Sequence, residues 1–86
     1  LPLVVIESMA FGLPIVAFNC SPGVKQLVEH KENGFLCEKN NIEEMVNSLD
    51  LLMNNLELYQ QMSDKSRLMS EDYGIEKIIE EWKAIL

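Results

Sequence analysis

The chain has 86 residues, 48% hydrophobic and 24% charged, with a formal net charge of −7. That length allows one small domain with a thin core, or part of a larger one. Residues 1–37 carry three glutamates against two lysines, so most of the negative charge lies in residues 38–86. An acidic second half repels a phosphate backbone and an anionic membrane surface, which argues against nucleic-acid binding.

The first stretch, "LPLVVIESMAFGLPIVAF", has Glu7 as its only charge. It is near the length of a membrane span, but Pro2, Gly12, Pro14 and the central Glu7 break it into two elements. Pro2 suits the first turn of a helix. "LVVIESMAF" then reads as a buried helix closed by Gly12. "PIVAF" (14–18) reads as a strand covered on both sides. "NCSPG" is a loop, with Ser21 as a turn residue. "VKQLVEH" is a short helix with Val24, Leu27 and Val28 on one side. "KENG" is a turn built on Asn33-Gly34, with His30 a solvated side chain beside it, and "FLC" is a second strand.

The pattern then changes to helices. Asn41 with Glu44 resembles a capping box. Ile42, Met45, Val46, Leu49, Leu52, Met53 and Leu56 fall on one face of an amphipathic helix. Leu58, Tyr59, Met62 and Met69 suggest one or two further helical pieces, with Ser63 either mid-helix or a new N-cap. Gly74 breaks the chain, and Ile75, Ile78, Ile79, Trp82, Ile85 and Leu86 predict a last helix with Trp82 packed beneath it. Met45, Met53, Met62 and Met69 are expected in the core, Cys20 and Cys37 as buried free thiols, and the acidic run 71–81 as a solvated face.

The order helix, strand, helix, strand, then helices predicts an α/β fold with a parallel sheet. Two strands do not complete such a sheet, and the chain starts inside a patterned segment, so upstream strands are expected in a longer parent. Glu7 is the chemically informative residue. A carboxylate on a buried helix is costly unless it is paired or faces a polar cleft. It reads either as a structural cap or as a ligand-binding group. In doubly wound sheets ligands sit over helix N-termini, whose free N–H groups suit a diphosphate. A carboxylate about one turn further in is placed to accept from ribose hydroxyls.

"PLVVIESMAFGLPIVA" resembles the C-terminal domain of the family-four retaining glycosyltransferases of GT-B fold. Their pattern runs E-G-F-P-L-V-x-x-E-A-M-A-x-G-x-P-V-V-A. Glu7 matches its second glutamate; the first would lie two residues before Leu1. "GVKQLVEHKENGFLC" follows the family's G-G-x-x-E-I-V-x-D-G-x-N-G-L-L-V. "NNIEEMVNSL" and "YGIEKIIEEWKAIL" resemble its later helices. The resemblance implies that residues 1–86 are the C-terminal portion of a Rossmann-like, nucleotide-sugar-binding domain, with the acceptor domain elsewhere.

It further implies that Glu7 binds the ribose hydroxyls, that the Leu3 and Val4 amides meet the diphosphate and that Pro2 shapes that turn. No residue here is implied as nucleophile or base. The implied donor is a nucleotide sugar, expected to be a UDP-sugar, used without a metal cofactor. The implied acceptor is a saccharide or a lipid-linked group in cell-surface polysaccharide synthesis. The implied setting is the cytoplasm or the cytoplasmic face of the membrane, with peripheral association. Two departures stand out. Pro22-Gly23 replaces Gly-Gly, with Gln26 for the following Glu, and His30-Lys31 replaces Asp-Gly at a surface turn. Alternative readings are a GT-B phosphorylase or sugar-nucleotide epimerase, and a non-enzymatic helical interaction module.

Overall fold

The computed structural model describes residues 3–74, 80 and 83–85. Its elements are α1 (Leu3–Ala10), β1 (Ile15–Phe18), α2 (Pro22–Leu27), β2 (Gly34–Cys37), α3 (Ile42–Asn54) and α4 (Leu56–Ser70). A single 3-10 turn, Glu71–Tyr73, follows. β1 and β2 pair in parallel, Ile15 opposite Gly34 and Phe18 opposite Cys37. The α/β order expected from the sequence is the order found.

The period-2 alternation of β1 and β2 distributes their side chains to two clusters. Val16, Phe18, Phe35 and Cys37 pack with Met45 and Leu52 of α3 and with Leu58, Tyr59 and Met62 at the start of α4. Ile15 packs on the other side with Val5, Ile6 and Met9 of α1, Leu27 of α2 and Met69 near the end of α4. α3 and the α1–α2 pair thus cover opposite faces, and α4 crosses from one to the other.

That crossing passes the N-terminal ends of the strands, where polar groups are matched one by one. α1 ends in a Schellman turn: the Gly12 N–H donates to the Met9 carbonyl at 2.9 Å, and the Leu13 N–H to the Ser8 carbonyl at 3.0 Å. Gly12 has φ +76°, and a Cβ there would lie 3.0 Å from Ser63 Oγ and 2.9 Å from Arg67 Nη2. Asn33 is completely buried. Its Oδ1 accepts from the Glu29 N–H at 2.8 Å, and its Nδ2 donates to the Leu27 carbonyl at 3.0 Å. Its own carbonyl accepts from Ile15 N–H at 3.0 Å and from the buried Ser66 hydroxyl at 3.3 Å. Gly34 lies so close to β1 that a Cβ would fall 1.7 Å from the Ile15 carbonyl oxygen. The Asn33-Gly34 pair is therefore the place where turn, sheet and α4 are joined.

Several local expectations change. α1 is half-buried rather than buried, with Val4 and Phe11 exposed, because the sheet beneath it has only two strands among the described residues. For the same reason every residue of β1 remains half-buried. α2 starts at Pro22, with the Ser21 hydroxyl accepting from the Val24 N–H at 3.4 Å, and stops at Leu27. Val28 is buried in extended backbone rather than helix.

Asn41 caps α3 as expected, accepting from the Glu44 N–H at 3.0 Å. The return bond of a capping box is absent here: the Asn41 N–H goes to the Glu38 carbonyl. Glu44 Oε2 accepts instead from the Asn41 side-chain amide at 3.2 Å. α3 stops at Asn54, before the apolar register runs out, because Asn55 leaves helical backbone (φ −134°) and its side chain accepts from the Leu58 N–H. α4 is one helix, and Ser63 sits buried in its middle.

Met62 is in the core, but Met53 is 83% exposed and Leu56 82%. These two line an open apolar groove of about 580 Å³ with Leu13, Val16, Leu49 and Tyr59. Cys37 is buried as expected, with Sγ 3.7 Å from Ser48 Oγ, whereas Cys20 is exposed in the loop after β1. Glu71, Asp72 and Glu80 are solvated. The rest of the predicted last helix, Trp82 and Pro2 lie outside the described residues.

Candidate functional site

Parallel strands require each connecting segment to run back along the sheet. The N-termini of α2 and α3 therefore gather at the C-terminal ends of β1 and β2, and α1, which turns sharply into β1 at Gly12, brings its N-terminus to the same rim. This is the rim at which open α/β sheets bind ligands. α4 lies at the opposite rim and leaves this one free.

α1 presents two kinds of polar group toward that rim. Helix geometry leaves the first-turn N–H groups, those of Leu3 and Val4, without intrahelical acceptors, with a partial positive charge at that end. Val4 is 74% exposed, while Leu3 and Val5 are half-buried. Glu7 lies one turn further in, about 6 Å along the helix axis. It is half-buried, and its Oε1 is buried with no hydrogen-bond partner among the described residues. An unpaired buried carboxylate oxygen is rare in folded proteins and costs about 1–3 kcal/mol or more.

Nothing in the local sequence forces Glu7 inward. Ile6 and Met9 fix the buried face of α1, and the helical period places Glu7 on its flank. Among the described residues no loop is capped by Glu7. The neighbouring Ser8 turns back on its own helix, donating to the Val4 carbonyl at 2.9 Å. The arrangement joins amide donors able to hold an anion to a carboxylate acceptor with spare capacity, a turn apart. No group of three or more metal-ligating side chains occurs among the described residues.

Of the residues singled out in the sequence, Leu3, Val4 and Glu7 come together on α1. Pro2 lies outside the described residues. Ser21 is the cap of α2 and has no partner histidine. His30 is exposed but not merely solvated: its Nδ1 accepts from the Leu36 N–H at 3.0 Å. Asn33 carries more of the architecture than its turn position suggested; the Asn-Gly pair was the visible signal, and the burial was not.

Similarity to known proteins agrees with this geometry. The sequence pattern of "Glycosyl transferases group 1" matches residues 1–69. The chain is 91% identical over 86 residues to an uncharacterized glycosyltransferase of Haemophilus influenzae, covering all of this chain and 24% of that protein. It is 36% identical over 81 residues to a poly(ribitol-phosphate) alpha-N-acetylglucosaminyltransferase of Staphylococcus aureus, covering 93% of this chain and 16% of that protein. It is 30% identical over 77 residues to a poly(glycerol-phosphate) alpha-glucosyltransferase of Bacillus subtilis, covering 90% and 11%. The chain thus spans a quarter or less of these relatives. With most of its length matched, and with an α/β arrangement that leaves the ligand rim open, the chain belongs to the group 1 glycosyltransferases.

Proposed function

We propose that this chain supplies part of the donor site of a retaining, family-four glycosyltransferase. In this reading Glu7 accepts hydrogen bonds from the two ribose hydroxyls of a nucleoside-diphospho-sugar. The Leu3 and Val4 amides face the diphosphate, and Pro2 sets the turn. The observation that carries the reading is the buried Glu7 Oε1, unpartnered among the described residues, on the helix whose N-terminal end is at the ligand rim. A ribose diol supplies two O–H donors and no charge, which suits a carboxylate, and binding needs the Glu7 side chain to turn its buried Oε1 toward the rim.

The sugar passes to an acceptor held elsewhere in the parent, a saccharide or a lipid-linked group. The setting is cell-surface polysaccharide synthesis, in the cytoplasm or at its membrane face. The two relatives named for polyol-phosphate polymers support a polymeric acceptor. A UDP-sugar is the donor proposed, and no metal cofactor is required by the groups named. In binding, the amides stabilise the diphosphate charge while Glu7 orients the nucleoside. Neither group reacts.

The test is calorimetric titration of the polypeptide that carries this chain with UDP, GDP and ADP, beside its Glu7→Gln variant. Hydrogen bonds to a charged acceptor are worth about 1.5–3 kcal/mol, so the variant is expected to bind its nucleotide about ten- to a hundredfold more weakly. Equal binding by a folded variant makes Glu7 structural. Failure of all three nucleotides to bind removes the donor-site reading.

A further inference from the structure

β2 has an inner edge paired with β1 and an outer edge. Alternate residues of a strand direct their backbone groups to opposite edges. The Asn33 and Cys37 carbonyls accept from the Ile15 and Asn19 N–H groups of the β1 segment. Gly34 and Leu36, one position out of phase, face outward. One outward group of each is met by the turn that precedes the strand. The Lys31 N–H donates to the Gly34 carbonyl at 2.7 Å. The Leu36 N–H donates to His30 Nδ1 at 3.0 Å. His30 also forms a parallel bridge with Gly34. Its ring stands edge-on to Phe35, with centroids 5.9 Å apart and planes at 76°.

A ring that accepts at Nδ1 is neutral and carries its proton on Nε2. An imidazolium donates from both nitrogens and accepts at neither, so a proton on Nδ1 would set two donors against each other. We propose that His30 is a proton-sensitive clasp on the outer edge of β2. The neutral ring holds the Leu36 N–H; the protonated ring releases it and leaves that edge able to pair with another strand.

The sequence departure noted at this turn gives the clasp its character. His30-Lys31 stands where the group's pattern has Asp-Gly. Lys31 has φ 70°, the left-handed conformation that glycine adopts without strain. Position 31 thus has the backbone conformation that a glycine favours. An aspartate at position 30 would offer an acceptor down to about pH 4. A histidine ring accepts there only while its Nδ1 carries no proton. The charged groups next to His30 in its own turn are Glu29, Lys31 and Glu32, and Glu43 and Glu44 of α3 line a pocket with Phe35, the residue that the ring touches. Among the described residues none of these carboxylates forms an ion pair with the ring.

The test is amide exchange at Leu36, read by NMR on the polypeptide that carries this chain, with ¹⁵N shifts of the His30 ring. Protection factors, corrected for the intrinsic pH dependence of exchange, are compared between a pH at which the ¹⁵N shifts report a neutral His30 ring and a lower pH at which they report an imidazolium. The expected result is an Nε2–H ring at the higher pH. Leu36 protection should then fall about tenfold at the lower pH, the upper end of what one hydrogen bond supplies. Phe35 and Cys37, paired with β1, should keep theirs. His30→Asp and His30→Asn should keep Leu36 protected at both pH values; if the first does not fold, the second decides. Unchanged Leu36 protection in the wild type, the same loss in His30→Asn, or a proton on Nδ1 at neutral pH overturns the proposal.

Discussion

At the rim where α4 crosses, every buried polar group described has found a partner. Asn33 satisfies both ends of its amide, Ser66 donates to its carbonyl, and Gly12 makes room for Ser63 and Arg67. At the opposite rim Glu7 keeps a buried oxygen with no partner among the described residues. The first arrangement is what stability produces, because unmet polar groups are costly when buried. The second persists against that cost, and departures of this kind concentrate at functional sites. One short chain thus separates a rim whose polar groups are matched from a rim that keeps an unmatched carboxylate oxygen.

This contrast predicts different responses to substitution. The largest effect belongs to Gly34→Ala, since no side-chain motion can relieve a Cβ placed 1.7 Å from the Ile15 backbone oxygen. We expect a loss of more than about 4 kcal/mol, measured by chemical denaturation, which is most of the stability of a small domain. Asn33→Ala comes next. It strands the Glu29 N–H and the Leu27 carbonyl, and the expected loss is about 2–4 kcal/mol. A loss under 1 kcal/mol would show that water replaces the amide and would weaken the distinction between the rims. Glu7→Leu has the smallest expected effect on stability and the opposite sign. Removing an unsatisfied carboxylate should leave the melting temperature unchanged, or raise stability by up to about 1 kcal/mol, while nucleotide binding is lost. If Glu7→Leu is as damaging as Asn33→Ala, Glu7 belongs to the structural rim.

Much of the architecture was readable from local chemistry. Gly12 announced the end of α1 because the Schellman turn needs a residue that accepts positive φ. "PIVAF" and "FLC" read as strands from β-branched and aromatic content. Asn41 announced α3 because its side chain caps the Glu44 N–H regardless of what the helix later packs against. Local signals failed where two of them competed. Leu56 continues the apolar register of α3, so Asn55 was hidden as a break, although its cap on Leu58 decides the matter. Met53 followed the same register and ended up exposed, since periodicity marks a face without saying what covers it.

The sequence by itself determined the element order, the caps and glycines that bound them, and the motif that placed Glu7 in the second turn of α1. These follow from interactions between residues a few positions apart. Only the tertiary structure decided that Glu7 keeps an unpaired oxygen, that Cys37 is buried and Cys20 is not, and that His30 completes the edge of a strand six residues away. Those outcomes depend on which backbone groups are left over once β1, β2 and α4 have met. That remainder is set by packing between distant segments and has no counterpart in local pattern.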